Sequence, residues 1–333
     1  LFRSGSILKQ SSSGGMFGSF AKYLFNSNTN VKVFAVKNDL GKVVYEICTD
    51  YRDLEQFYKS KYCQAFLNKA FYERLISAIS NEAVCLIIGT PCVLSGIKNT
   101  LLAQKAKLTS CIFVDLVCHG VMSQSVYHTH LEECKKRWGG VVTQHYFRYK
   151  RAVTKDCPEG SHWNLYKVNN EIIIKKSDDD YYMQTYFADL AMRETCYCCQ
   201  FTGTNRIGDI TIGDFNNAHM LCSQFDGLRS VSLVLVNTDK GQRFIDECNN
   251  NTVNLQPVDI KLLQKFNTPL TAPIKRPFQR SLFYTFYNSL GLSRTVSLLN
   301  YKYYLRKIIV AFGGKKLLLK IKALLGRSYI DIE

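Results

Sequence analysis

Hydrophobic positions change period several times along this chain. "MFGSFAKYLF" (16–25) places apolar residues three and four apart, which predicts a helix with one buried stripe. "VKVFAVK" (31–37) and "KVVYEIC" (42–48), parted by Asn38, Asp39, Leu40 and Gly41, predict a hairpin. After the polar kink "SKYCQA" (60–65), "FLNKAFYERLISAIS" (66–80) returns to helical spacing. "AVCLIIG" (83–89) and "CIFVDLV" (111–117) are continuous apolar runs of buried strands, and "VLSGIKNTLLAQ" (93–104) between them is helical. "SQSVYHTHLEECKKRW" (123–138) opens like a capped helix.

This β-turn-α-β-turn-α order with short connections predicts two parallel, adjacent strands. Farther on, "VVTQHYFRYK" (141–150), "HWNLYKV" (162–168) and "EIIIKK" (171–176) read as strands, the last two joined at Asn169-Asn170. "DDDYYMQTYFADLAMRET" (178–195) reads as a helix with Asp178 to Asp180 at its positive end. "RIGDITIGDF" (206–215) and "VSLVLVNTDKG" (231–241) are two further strands. The expected fold is α/β with a mixed sheet over residues 1–270, followed by a basic helical tail over 271–333.

Charge bears out the separateness of the tail. The formal net charge is +16, and no Asp or Glu occurs from Thr271 to Ile330, where twelve Lys and Arg residues fall. The amphipathic "SLLNYKYYLRKIIVAFGGKKLLLKIKALLGR" (297–327) can either pack on a core with a solvated basic face or lie on an anionic membrane surface. A nucleic-acid partner is not expected: charge and tail tyrosines alone do not make a binding motif, and no RNP-like sequence is present. No apolar run approaches the ~18 residues of a membrane span, and no leader pattern is read at the start, so a reducing, cytoplasmic setting is expected.

The candidate chemistry lies in the thirteen cysteines. "MRETCYCCQF" (192–201) contains the C-x-x-C pair Cys196 and Cys199, with Cys198 inside it. Cys92 of "TPC" and Cys118 of "CHG" each follow a predicted strand, in neighbouring turns at the edge where parallel sheets build their sites. Four such thiols suit zinc or an iron–sulfur cluster equally on spacing. A thioredoxin-like couple fits less well, because here the C-x-x-C follows a helix rather than opening one. A disulfide is not expected in a reducing cell. His119, beside Cys118, reads as a turn residue rather than a ligand. The Ser11–Gly15 loop "SSSGG" feeds a helix N-terminus, which serves either as a plain cap or as an anion site.

Eight stretches together resemble one family. "SSSGGMF", "SKYCQA", "GTPCVLSGIK", "VDLVCHGVMSQSVY", "FRYK", "RETCYCCQF", "RIGDITIGDF" and "VSLVLVNTDKG" occur in the order found in the coenzyme F420 hydrogenase/dehydrogenase beta-subunit family (the coenzyme is a deazaflavin). The resemblance covers about residues 11–245. It implies an oxidoreductase holding one [4Fe–4S] cluster and a flavin, FAD or alternatively FMN. The implied cluster ligands are Cys92, Cys118, Cys196 and Cys199. The implied flavin site is Ser13, Gly14 and Gly15, with Lys61 and Thr90 nearby and Asp214 as a polar contact. The implied partners are a redox protein or ferredoxin-like subunit and a small hydride donor or acceptor, either a deazaflavin or a polysaccharide-pathway intermediate. The chain departs from the family pattern at Asn216, where "GDFW" becomes "GDFN", and it carries no C-x-x-C-x-x-C-x-x-x-C-P run.

Overall fold

The computed structural model describes residues 5–39, 41–150, 162–215, 218, 231–251, 253 and 255–300. Two compact units divide between Arg276 and Pro277.

In the first unit the chain runs α1 (Gly5–Gln10), α2 (Met16–Ser27), β1 (Val31–Asp39), β2 (Lys42–Cys48), α3 (Lys69–Ser80), β3 (Val84–Gly89), α4 (Pro91–Ala103), β4 (Cys111–Leu116) and α5 (Gln124–Trp138). It continues through β5 (Val142–Tyr146), β6 (Trp163–Val168), β7 (Glu171–Lys176), α6 (Tyr181–Phe187), β8 (Ile210–Asp214), β9 (Ser232–Val236), α7 (Asp239–Asn251) and α8 (Ile260–Phe266). Six strands form one mixed sheet in the order β2-β1-β3-β4-β8-β9. Its four central strands are parallel, and the two outer strands are antiparallel to their neighbours. β5, β6 and β7 make a second, antiparallel sheet.

Alternation within the central strands sorts their side chains onto two layers. Val33, Leu86, Ile88, Ile112 and Val114 face one layer with Phe20, Ala21 and Leu24 of α2 and Phe244, Ile245 and Cys248 of α7. Phe34, Cys85, Ile87, Cys111 and Phe113 face the other, against Phe71 and Leu75 of α3 and Leu94, Ile97 and Leu101 of α4. Burial on both faces is why β3 and β4 read as unbroken apolar runs. They pair in parallel, with Cys85 opposite Cys111 and Gly89 opposite Asp115.

The helix expected over 178–195 is shorter. Asp180 caps α6 by accepting from Tyr182 N and Met183 N, and the helix stops at Phe187. Asp189 then takes a left-handed φ of 54°. A separate 3₁₀ turn, Glu194–Cys196, delivers the first of the clustered thiols.

The second unit contains α9 (Arg280–Leu290) and α10 (Leu292–Leu299), hinged at Gly291, whose φ of 77° favours glycine. Phe283, Leu292 and Val296 are buried. The expected amphipathic tail and its membrane contact fall mostly on residues 301–333, outside the described residues, as does Asn216. No helix among the described residues is long and apolar enough to cross a membrane.

Candidate cofactor site

Three turns bring the four predicted ligand cysteines to one edge of the large sheet. The first follows β3. Thr90 is the N-cap of α4 and Pro91 its first residue, so Cys92 lies in the first helical turn, exposed, with its Sγ 3.5 Å from Thr90 Oγ1. The second follows β4: Val117 N donates to Ile212 O, fixing the chain just before Cys118. The third is the 196–199 turn. It is brought to the second by a short antiparallel pairing, in which Arg193 N donates to Val121 O and Ser123 N to Ala191 O, both at 3.0 Å. Met122 and Met192 face each other between these bonds. Glycine suits position 120, where φ is 157° and a Cβ would crowd Met192 Sδ at 3.3 Å, with the Cys196 Cβ in ordinary contact at 3.5 Å.

These thiols lie within each other's electrostatic reach. Burial pushes the Cys118 thiol up to about 12, and neighbouring Cys92, Cys196 and Cys199 push the same way. Burial also raises Cys196, opposed by a backbone bond from Val121 and reinforced by Cys92. Ionising Cys118 and Cys196 without a cation is therefore unfavourable, whereas a bound metal group would offset their charge. Cys198, exposed like Cys92, has its Sγ 3.9 Å from Thr195 O in its own turn. Among the described residues, no three His, Cys, Asp or Glu side chains are gathered closely enough to hold one metal ion.

Beside this edge opens a cleft of ≈ 380 Å³ whose walls include Ser13, Gly15, Lys61, Thr90, Cys92, Cys118 and Asp214. Cys196 and Cys199 are not on its walls, nor is Gly14. Gly14 instead packs against β9, donating through its N–H to Ser232 Oγ at 3.0 Å. It borders a second cavity of ≈ 670 Å³ along β9, which shares Met16 and Ser232 with the cleft. Gly15 is the N-cap of α2 with φ 89°, and no side chain caps that helix end. Lys61 Nζ donates to Phe57 O at 2.9 Å and Tyr58 O at 2.7 Å. Burial drives its pKa down to about 7, with Lys59 adding to the shift.

Three features of this region escaped sequence reasoning. Lys150 Nζ donates to Ser13 O at 2.9 Å and Leu8 O at 3.1 Å, holding the Ser/Gly loop in place. Arg148 meets Asp214 Oδ2 at 2.5 Å on the cleft wall. Arg206 meets Asp115 at 2.8 Å beneath the thiol turns. The only sequence signal for these was that Arg148 and Lys150 lie in "FRYK" and Arg206 in "RIGD".

The family model for the C terminus of the coenzyme F420 hydrogenase/dehydrogenase beta subunit matches residues 83–261, more than half of the chain. Among solved structures, a chain from a xenon-derivatised F420-reducing [NiFe] hydrogenase complex of Methanosarcina barkeri superposes with a TM-score of 0.51 at 14% identity, covering 81% of this chain and 86% of that one. No curated protein matches.

Proposed function

Because the chain belongs to the coenzyme F420 hydrogenase/dehydrogenase beta-subunit family, an oxidoreductase family, we propose that it is an iron–sulfur flavoprotein. In this reading Cys92, Cys118, Cys196 and Cys199 hold a [4Fe–4S] cluster, and the adjoining cleft holds a flavin. The observation that carries the reading is the meeting of a four-cysteine edge and a loop–helix anion site in one place, with Cys92 and Cys118 on the cleft wall itself. The family favours a cluster over a single zinc, since its beta subunits are typically iron–sulfur proteins, although zinc takes the same four thiolates.

When bound, a flavin and cluster together supply the exchange between two-electron hydride chemistry and one-electron transfer. The residues bind and orient. The uncapped N-terminus of α2, entered from Gly15, offers backbone N–H groups to a phosphate, with FAD preferred to FMN because the second cavity adjoins the Ser13–Gly15 loop. Gly14 shapes that loop from behind. Lys61, with a pKa near 7, can carry or release a proton at the cleft wall. Thr90 lines the cleft beside Cys92, and Asp214 fixes Arg148. The hydrogenase neighbour comes from a complex, and exposed Cys92 gives a partner redox protein a short route to the cluster. The hydride substrate in this reading is a deazaflavin or a polysaccharide-pathway intermediate.

The test is the visible spectrum of anaerobically purified protein, with flavin released by acid and identified chromatographically. Flavin and cluster bands together support the reading. One bound zinc and no flavin would replace it with a non-catalytic scaffold.

A further inference from the structure

Two Arg–Asp pairs in the first unit are built differently. Arg206 and Asp115 are 1% and 0% exposed, and their polar atoms are saturated: Asp115 also accepts from Ile207 N and Gly208 N, and Arg206 also donates to Phe201 O and Leu116 O. Arg148 and Asp214 are 20% and 35% exposed and line the cleft. Arg148 Nη1 donates to Asp214 Oδ2 at 2.5 Å, and Tyr62 is its other side-chain partner among the described residues. A guanidinium carries five N–H donors, more than these two partners take up, and Arg148 lies on the cleft wall.

Its backbone is also specially placed. Arg148 has φ 53°, the left-handed region that a non-glycine residue adopts at some cost. Buried Phe147 anchors the turn on one side, and the Tyr149 N–H bond to Trp163 O anchors it on the other. The cleft's charge points the same way. Lys59, Lys61, Arg148 and Arg193 are on its walls, and Asp214 is the single acid among the described lining residues.

We propose that Arg148 is an oxyanion receptor in the cleft, and that Asp214 is its resting partner, displaced when a phosphate or carboxylate group of a ligand arrives. A guanidinium fork matches such groups bidentately. The ligand group is either the cofactor's phosphate or an acid on the substrate. The proposal rests on the cleft being the ligand site of the function proposed above, and it does not depend on the cluster.

The test uses inorganic pyrophosphate as the probe, titrated calorimetrically into the full-length protein at fixed ionic strength. Arg148→Met should weaken binding at least about tenfold, and Arg148→Lys should fall between, because a point charge lacks the fork. Asp214→Asn should act in the opposite direction and tighten binding, since the competing carboxylate is gone. Unchanged affinity in Arg148→Met, or weaker binding in Asp214→Asn, overturns the proposal. Riboflavin and FMN binding, followed by flavin fluorescence, then identifies the source. If Arg148 receives the cofactor phosphate, Arg148→Met loses the preference for FMN over riboflavin. If it receives a substrate acid, that preference survives, and FMN-loaded protein still binds pyrophosphate through Arg148. Pyrophosphate binding with these signs but no flavin binding would fail the flavoprotein reading and leave the receptor standing. Flavin binding with no effect of either variant would do the reverse.

Discussion

Arg206 and Asp115, 91 positions apart in sequence, form a fully buried ion pair at 2.8 Å that sets the spacing between two thiol turns. The guanidinium donates to Leu116 O, two residues before Cys118, and to Phe201 O, two residues after Cys199. Removing one member of such a pair leaves an unpaired buried charge, which costs about 3–5 kcal/mol. Arg206→Met should therefore lower stability by about that amount in urea unfolding of metal-free protein. The double variant Arg206→Met with Asp115→Leu should recover part of the loss. A cost below about 1 kcal/mol for the single variant would mean that the turns are held by other contacts.

Gly208 belongs to the same junction. A Cβ there would stand 2.7 Å from Asp115 N and Ile210 O and 2.9 Å from Phe113 O, all backbone atoms that cannot swing aside. Overpacking of this kind costs about 1–3 kcal/mol. Gly208→Ala should lower the urea midpoint with an unchanged slope. A midpoint equal to wild type would show that the backbone there yields freely.

The strands and their order around the first two thiols were legible because β3 and β4 are buried on both faces. Apolar runs of their length bounded by Gly89-Thr90-Pro91 and Cys118-His119-Gly120 leave little choice of topology. The approach of Cys196 was legible only as a requirement for more ligands. What achieves it is the pairing of 121–123 with 191–193, which overrides helical spacing after Phe187. Neither Arg–Asp pair was legible, because pairings over 66 and 91 positions depend on which strand ends become neighbours. Strand β9 was predicted as a strand, but its antiparallel placement at the sheet edge leaves no mark in its own sequence.

Gly15 separates backbone shape from charge. Its φ of 89° is tolerated by Asn far better than by most residues, and a Cβ would meet Ile7 Cγ2 at 3.3 Å. Gly15→Asn should keep most of the flavin, measured as flavin per chain after purification. Gly15→Asp places a negative charge where a phosphate is expected and should lose flavin by at least about tenfold. Full occupancy in Gly15→Asp would mean that the phosphate lies elsewhere.

Lys61 gives the pH dependence a definite sign. Burial lowers its pKa to about 7, so in the free protein its charge is lost as pH rises through neutrality. An anion beside it favours the charged form, so binding takes up a proton and weakens above that pH. FAD affinity should therefore fall from about pH 6 to about pH 9, with riboflavin affinity nearly flat. Lys61→Arg keeps its charge throughout and should remove the part of the fall due to Lys61. An FAD affinity that rises over this range would contradict the placement of Lys61 against the anion.

The central claim is that Cys92, Cys118, Cys196 and Cys199 jointly hold one iron–sulfur cluster. The most direct measurement is the iron, acid-labile sulfide and zinc content of anaerobically prepared protein, for wild type, the four single Ala variants and Cys198→Ala. About four iron and four sulfide per chain are predicted for wild type and Cys198→Ala, with both lost in each of the other four variants. One zinc without sulfide in wild type, or loss of iron in Cys198→Ala with iron retained in Cys199→Ala, would contradict it.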